Sequence, residues 1–321
     1  MPPMLVVEPV FAERVWGGTE LRRWYGPAVP DGVIGECWAV SGLPGMSGHV
    51  RDAGQGFTLA DAWAQGLVTG APEPGEFPLL CKLLDPQDWL SVQVHPDDAQ
   101  ARALEGMPRG KAECWLVVAA QPGAELILGH RAGSPDELRR ALADGTLMDL
   151  LVRVPVTTDD FFMVAAGELH SLGPGVLVYE VQQGSDVTYR LYDFDRIGLD
   201  GQPRALAVDK GFSVVRAPHD PGISRTAGPW QPTGLHARWR VLVDCPQFRV
   251  ERWETLHGHF TIDVTDYRVL TVVGGGGTVR AGEDGVEVGL GTSLVVPRGT
   301  GPVQVSGDLI LVASTPGPEL A

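Results

Sequence analysis

Asp160-Phe161-Phe162-Met163-Val164-Ala165-Ala166-Gly167 runs on through Glu168-Leu169-His170 into the apolar stretch Val176–Val181. It reads as a strand, a turn at glycine and a second strand. The rhythm returns near the C-terminus, where Thr292-Ser293-Leu294-Val295-Val296-Pro297-Arg298-Gly299 precedes a strand at Leu309–Ala313. Strand–turn–strand units of this kind build a jelly roll. The second copy has nothing in the place of His170, so two related barrels are expected, with a histidine site in the first alone.

Outward from this stretch the chain keeps the same character. Further β-rich runs lie at Leu5–Val10, Val92–His95, Cys114–Ala119 and Val269–Val273, punctuated by 42 glycines and 26 prolines. Many short strands with Gly/Pro turns predict an all-β-dominated fold with few short helices, not an α/β sheet. The best helical pattern is Ser134–Leu151, where Ser134 can cap, Pro135 suits the first turn and Glu137 completes a capping box. Asp97–Gly106 and Thr58–Gln65 are weaker candidates. A Pro/Gly-rich stretch at His219–Thr233 reads as a linker, dividing residues 1–225 from a β domain at 226–321 that has no metal site. The Gly274–Gly277 run lacks the Lys-Ser/Thr ending of a phosphate loop and predicts a hairpin turn.

Composition narrows the function. The 321 residues are 44% hydrophobic, with mean hydropathy +0.02, which suits a soluble globular protein with a sizeable core. The net charge of −15 weighs against a nucleic-acid partner, because a phosphate backbone needs clustered Lys and Arg. A small anionic substrate is still allowed, since a pocket's local charge can oppose the global one. No apolar run is long enough to span a bilayer, and Met1-Pro2-Pro3-Met4-Leu5 lacks a signal-peptide layout. Cys37, Cys81, Cys114 and Cys245 form no CxxC pair and read as reduced thiols of a cytoplasmic protein.

The chemistry concentrates in Leu90-Ser91-Val92-Gln93-Val94-His95-Pro96-Asp97-Asp98. On a strand, Ser91, Gln93 and His95 share one face while Val92 and Val94 point into a core. Lys111, Glu113 and Trp115 share a face in the same way, with Cys114 turned to the core, and His170 sits at a turn where it can reach a barrel mouth. Two imidazoles, one carboxylate and one amide oxygen form a donor set for Zn²⁺, or for Mn²⁺, Co²⁺ or Fe²⁺. Taken singly, His95 or Gln93 is better explained as a core or helix-end contact; four donors on recurring faces favour a metal. Arg190 and Arg196 can also be read as surface partners of Asp193 and Asp195, and for Arg196 that reading is at least as good. His257-Gly258-His259 has strand-pair spacing but no acidic partner, and reads as an ordinary pair in the second barrel.

The runs Leu90–Asp98, Gly110–Trp115 and Gly167–Arg196, with Ile34-Gly35-Glu36-Cys37-Trp38-Ala39-Val40-Ser41 and Trp16-Gly17-Gly18, closely resemble the type I mannose-6-phosphate isomerases. The resemblance runs from about residue 6 to 215 and more loosely to the end. It implies a cupin barrel, one zinc ion per chain, and interconversion of mannose 6-phosphate and fructose 6-phosphate. By position it implies Gln93, His95, Glu113 and His170 as metal ligands and Arg190 as the catalytic arginine. Lys111 and Glu180 fall at polar active-site positions, and Ser91 and Lys82 at substrate-binding ones. The implied partner is a small sugar phosphate, with no nucleic acid or membrane, in a monomer or small homo-oligomer. Ala165 replaces a common proline before His170. The long helical insertion of larger members is missing, as in the short bacterial form, which leaves one pocket wall unassigned. Two rivals stand beside the isomerase: a non-catalytic cupin that senses a sugar phosphate, and a metal-dependent oxygenase, whose sites often use more histidines and no glutamine.

Overall fold

The computed structural model describes residues 4–216 and 227–318. Its strands form three antiparallel sheets, and side-chain alternation explains how these stack. In the strand Glu113–Ala120, Glu113, Trp115 and Val117 face one way while Cys114 and Leu116 face the other. Val176–Gln183 pairs with it, placing Val178 on the first face and Tyr179 and Val181 on the second. Leu79–Leu84, Ile34–Val40, Val10–Glu13 and Phe161–Val164 complete this six-stranded sheet.

A five-stranded sheet lies opposite, in the order Tyr189–Tyr192, Val92–Val94, His170–Leu172, Glu125–His130, Leu151–Pro155. Trp115, Val117, Phe162 and Val178 from the first sheet meet Leu126, Leu128 and Leu172 from the second in one buried cluster. This is the jelly roll expected. On its outer side, Val92 and Val94 are fully buried beneath Leu138, Leu147 and Phe212. Those residues come from the helices Pro135–Ala143, Leu147–Leu150 and Val208–Val214. Each such burial is worth about 1.5–3 kcal/mol. So the valines, more than the length of a three-residue strand, hold Gln93 in place.

The outer face of the six-stranded sheet is covered by the third sheet. Cys37, Cys81, Cys114, Tyr179 and Val181 pack with Phe248, Tyr267, Val269, Val295 and Val312. Tyr179 donates a hydrogen bond to Thr271 Oγ1 (2.8 Å), whose hydroxyl pairs with that of Ser293 (3.0 Å). The third sheet runs Leu5–Val7, Ser293–Val296, Arg268–Ala281, Gly301–Pro316, Phe248–Val264, Leu235–Asp244, Gln231–Thr233, with Asp284–Gly289 also paired to Arg268–Ala281. A second cluster, including Trp253, Phe260, Val279 and Leu311, draws on this sheet and on Met4 beside it, so the sheet curls over its own side chains.

Some expectations are corrected. Ser134 does accept from Glu137 N, but the Glu137 carboxylate accepts from Gly133 N, so no reciprocal box forms. The helix there breaks into two, with Gly145 in the left-handed region (φ 74°) between them. Leu5–Val10 is two strands, because its first part pairs with Ser293–Val296 and its last residue begins a strand on Ile34–Val40. Gly274–Gly277 is no hairpin turn but lies inside Arg268–Ala281. A Cβ on Gly275 would stand 1.9 Å from the Asp308 carbonyl oxygen, and one on Gly277 2.0 Å from that of Ser306. These glycines let the neighbouring strand close in where the register shifts. Residues 219–226 of the expected linker lie outside the described residues, while Gln231–Thr233 at its end is a strand.

Candidate metal centre

At one end of the jelly roll the inward faces change from apolar to charged. Glu36, Lys82, His95, Lys111, Glu113, His170 and Glu180 are all buried. Taking such groups out of water costs several kcal/mol per ion, and a buried ion pair is often no more stable than an apolar replacement. Seven of them together do not serve the core; they point to a site.

Three form its centre. His170 stands directly opposite Gln93 in the sheet register, and Glu113 projects from the facing sheet. His170 opens the strand His170–Leu172, whereas the sequence placed it in a turn. The turn before it, which carries Ala165, is tied: Gly167 N donates to His95 O (2.8 Å), Glu168 N to Ala165 O (3.1 Å) and Gly129 N to Leu169 O (2.7 Å). One donor atom from each of His95, Glu113 and His170 lies within 4.8 Å of the others. His170 Nε2 is 3.3 Å from Glu113 Oε1, and His95 Nε2 is 3.5 Å from Glu113 Oε2.

These residues fit a divalent cation. The His95 Nδ1 faces the Val187 carbonyl at 2.9 Å and the His170 Nδ1 faces that of Glu168 at 2.8 Å. A carbonyl only accepts, so each Nδ1 carries the proton and each Nε2 turns a lone pair inward, as a ligand must. Burial keeps both rings neutral, His95 below the usual imidazole range and His170 down to about 3. Burial opposes the charge of Glu113, yet the Lys111 ammonium beside it holds its carboxyl well below the usual range. Its Oε1 is buried with no hydrogen-bond partner, an orphaned acceptor that a cation would satisfy. The Gln93 amide lies 3.2 Å from His170 Nε2 while its Oε1 accepts from Ser91 Oγ at 3.1 Å. Turning the amide over exchanges the two, giving Ser91 a donor and the centre a fourth ligand, an oxygen. The pocket already gathers positive charge, since the Lys111 ammonium bonds Glu113 and sits 3.2 Å from His95 Nε2.

A cavity of about 580 Å³ opens from this centre, lined in part by Ser91, Gln93, Lys111, Glu180, Lys82 and Arg190. Six of the residues read from the sequence thus line one space, and Gln93 and Lys111 join it to His170, His95 and Glu113 behind them. Glu180 accepts from the Trp115 indole at 2.9 Å, and burial, reinforced by the Glu113 charge, pushes its carboxyl up to about 7. Lys82 lies 3.0 Å from Asp186 Oδ1 and 4.3 Å from the centre of the Trp38 ring. Arg190 stands opposite Gln93, donating from Nε to Ser91 Oγ (3.2 Å) and from Nη1 to Ala205 O (2.9 Å). Among the described residues Arg190 forms no ion pair with Asp193 or Asp195, and Arg196 lies nearest to Asp88, at 3.9 Å. By contrast His257 is exposed and pairs with Asp308 at 2.9 Å; His95, Glu113 and His170 are the metal-ready group among the described residues.

Sequence reasoning gave no role to Arg14, Glu36, Asp186 or Arg204, all of which line the cavity. Glu36 grips Arg14 through both carboxylate oxygens at 2.9 and 3.0 Å. The wall left unassigned by the missing insertion is supplied by Glu13–Trp16 and by the loop carrying Gly198, Leu199, Asp200 and Arg204.

A jelly roll with imidazole and carboxylate donors at its mouth, opening into a cavity rich in arginine and lysine, defines a cupin-type metalloprotein that takes a small polar ligand. Comparison with known proteins narrows this to a family. Residues 4–121 match the model for the phosphomannose isomerase type I catalytic domain, and 240–316 that for the mannose-6-phosphate isomerase cupin domain. Mannose-6-phosphate isomerase of Streptococcus mutans is 37% identical over 316 residues, covering 96% of this chain and 98% of its own. That of Bacillus subtilis is 36% identical over 94% of this chain and 96% of its own. The crystal structure of a mannose 6-phosphate isomerase from Bacillus subtilis, 32% identical, superposes with a TM-score of 0.90 over 97% of this chain and 99% of its own. The chain belongs to the type I phosphomannose isomerase family.

Proposed function

We propose that this chain interconverts mannose 6-phosphate and fructose 6-phosphate with a divalent metal held by Gln93, His95, Glu113 and His170. The observation that carries the reading is that Gln93 and Lys111, which touch the donor cluster, line one cavity with buried Glu180 and with Arg190, which has no carboxylate partner among the described residues. Zinc suits two imidazoles with oxygen donors, and one ion per chain suits a single such cluster. Residues 1–225 form the catalytic unit, and residues 226–321 a second jelly roll without metal.

Aldose–ketose exchange moves a proton between C2 and C1 of the open-chain sugar, leaving negative charge on the neighbouring oxygens in between. The metal, when bound, supplies a fixed positive charge that stabilises those oxygens. Arg190 adds a permanently charged, planar fork of donors beside Gln93. Glu180 moves the proton, with a carboxyl near neutrality that can both take and return it. Lys111 orients the substrate oxygens beside Glu113, while Lys82 and Ser91 bind substrate. The buried thiols of Cys37, Cys81 and Cys114 support a cytoplasmic setting; no helix among the described residues is long and apolar enough to cross a membrane. The acidic composition argues against a nucleic-acid partner. The working unit is a monomer or small homo-oligomer.

A coupled assay following fructose 6-phosphate from mannose 6-phosphate tests the proposal. Turnover is expected, lost with EDTA and restored by zinc. Intact metal without turnover would instead leave a sugar-phosphate sensor.

Glu180 also sets a pH dependence. A base works only when deprotonated, so activity should fall as pH drops through about 7. Glu180→Gln should lower kcat by roughly 10²–10⁴-fold and remove that limb. A variant keeping the wild-type acid limb would show that another group is the base.

A further inference from the structure

The cations lining the cavity differ in how far they are already neutralised. Arg14 is gripped by Glu36, Lys82 is paired with Asp186 and Lys111 with Glu113. At Arg190 and Arg204 the balance reverses. Arg190 has no carboxylate partner among the described residues, and Arg204 has one bond, from Nη1 to Asp193 Oδ1 at 3.2 Å. That single carboxylate also lies within the influence of Arg190 and Arg196, while Arg196 sits 3.9 Å from the exposed Asp88 and is otherwise held by the Trp89 carbonyl.

Unlike Arg190, Arg204 touches neither the donor cluster nor Gln93 or Ser91 among the described residues. It directly follows a short hairpin loop closed by the Ile197–Pro203 bridge and the Gly198 N to Gln202 O bond at 2.7 Å. Its side chain is only 20% exposed, and Asp193, at 5%, anchors it from behind. Nε and Nη2 make no hydrogen bond among the described residues, so most of a planar fork faces the cavity with its donors unused. Burial and the neighbouring Arg190 guanidinium both push Arg204 below its usual range. Two half-buried guanidiniums repelling each other across a cavity wall form a seat that a dianion relieves and a neutral sugar does not.

We propose that Arg204 contacts the phosphate of the substrate and sets the preference for a phosphorylated sugar, with Asp193 positioning its guanidinium. The inference rests on the isomerase reading. It also fixes the orientation: the phosphate lies against the loop wall and the reacting carbons lie toward the donor cluster.

The test is Arg204→Gln beside Arg204→Lys, with kcat and KM for mannose 6-phosphate and competitive inhibition by inorganic phosphate. In Arg204→Gln, KM should rise on the order of 10–100-fold, the inhibition constant for phosphate should rise in step, and kcat should fall far less. Arg204→Lys should recover part of both, because the charge stays and the fork is lost. Asp193→Asn should shift KM and the phosphate constant together in the same direction, more weakly. A fall in kcat with the phosphate constant unchanged, or no change in either, overturns the proposal. If Arg204→Gln melts early, Arg204→Lys and Asp193→Asn carry the same comparison. If the wild type turns over no mannose 6-phosphate, the isomerase reading fails by itself. Calorimetric titration of wild type and Arg204→Gln with inorganic phosphate then still decides whether Arg204 holds the anion.

Discussion

His170→Ala is expected to lose its metal and nearly all activity while staying folded. Bound divalent metal should fall from about one per chain to below about a tenth, and kcat by roughly 10³-fold or more. The size follows from how the imidazole is held. Its Nδ1 is committed to the Glu168 carbonyl at 2.8 Å and its Nε2 stands 3.3 Å from Glu113. The ring packs edge-on against Trp115 at 5.4 Å and lies 4.7 Å from the His95 ring. No other histidine is close enough to replace it among the described residues. Loss of the ring leaves a small cavity, worth about 1–3 kcal/mol of stability, which this core can absorb. Elemental analysis after exhaustive dialysis, with a thermal melt and the coupled assay, reads all three quantities. His257→Ala is the matched control and should keep metal and turnover, because its ring is exposed and paired only with Asp308. A His170→Ala protein with full metal and full turnover would remove His170 from the centre and with it the donor set.

How much of this was legible in the sequence depends on where each residue sits. Period-two alternation singled out Gln93, His95 and Glu113, and the structure brings them together, because a strand bound to a core must send alternate side chains inward. Val92, Val94 and Cys114 are buried on the other face, as that alternation requires. Glu36 carried the same signal, a charged residue beside Trp38 on one face of an apolar strand, and was not given a role. Asp186, Arg204 and Arg14 gave no such signal. The first two lie in irregular segments without a period, and Arg14 follows the end of its strand. Their place in the site comes from how the loops fold over the barrel mouth, which local pattern does not encode. Gly274–Gly277 failed for a related reason. Glycine marks both turns and close strand approach, and only the neighbouring strand at Ser306 and Asp308 tells the two apart.

The charge arrangement accounts for an acidic protein that holds an anionic substrate. With a net charge of −15, long-range attraction does not favour a phosphate, so recognition must come from groups kept unneutralised inside the cavity. The buried acids Glu36 and Glu113, with the half-exposed Asp186, bind the cations near the metal end. The surplus is therefore left at Arg190 and the loop wall. This division separates two tasks, stabilising charge that develops during reaction and holding charge that the substrate already carries.

Arg190→Ala tests the first task and should read differently from any change at Arg204. Arg190 is fixed by Ser91 Oγ at 3.2 Å and the Ala205 carbonyl at 2.9 Å, and its strand partner is the metal-side residue Gln93. Its charge is therefore aimed before substrate arrives, and no reorganisation is needed when negative charge appears on the sugar oxygens. Removing one such preorganised donor costs about 10²–10³-fold in kcat, and removing a full charge should reach the upper part of that range. KM should change much less, because the interaction strengthens only as the reaction proceeds. Metal content should match the wild type, since Arg190 ligates nothing. Arg190→Lys should regain little of the loss: a point charge on a flexible stem keeps the sign but cannot hold the Ser91 and Ala205 contacts while reaching the substrate. Steady-state kinetics with metal analysis on both variants separates the outcomes. Full kcat with full metal in Arg190→Ala would show that the enediolate charge is met by the metal and Lys111 alone. A large rise in KM with kcat preserved would move Arg190 to the phosphate seat beside Arg204.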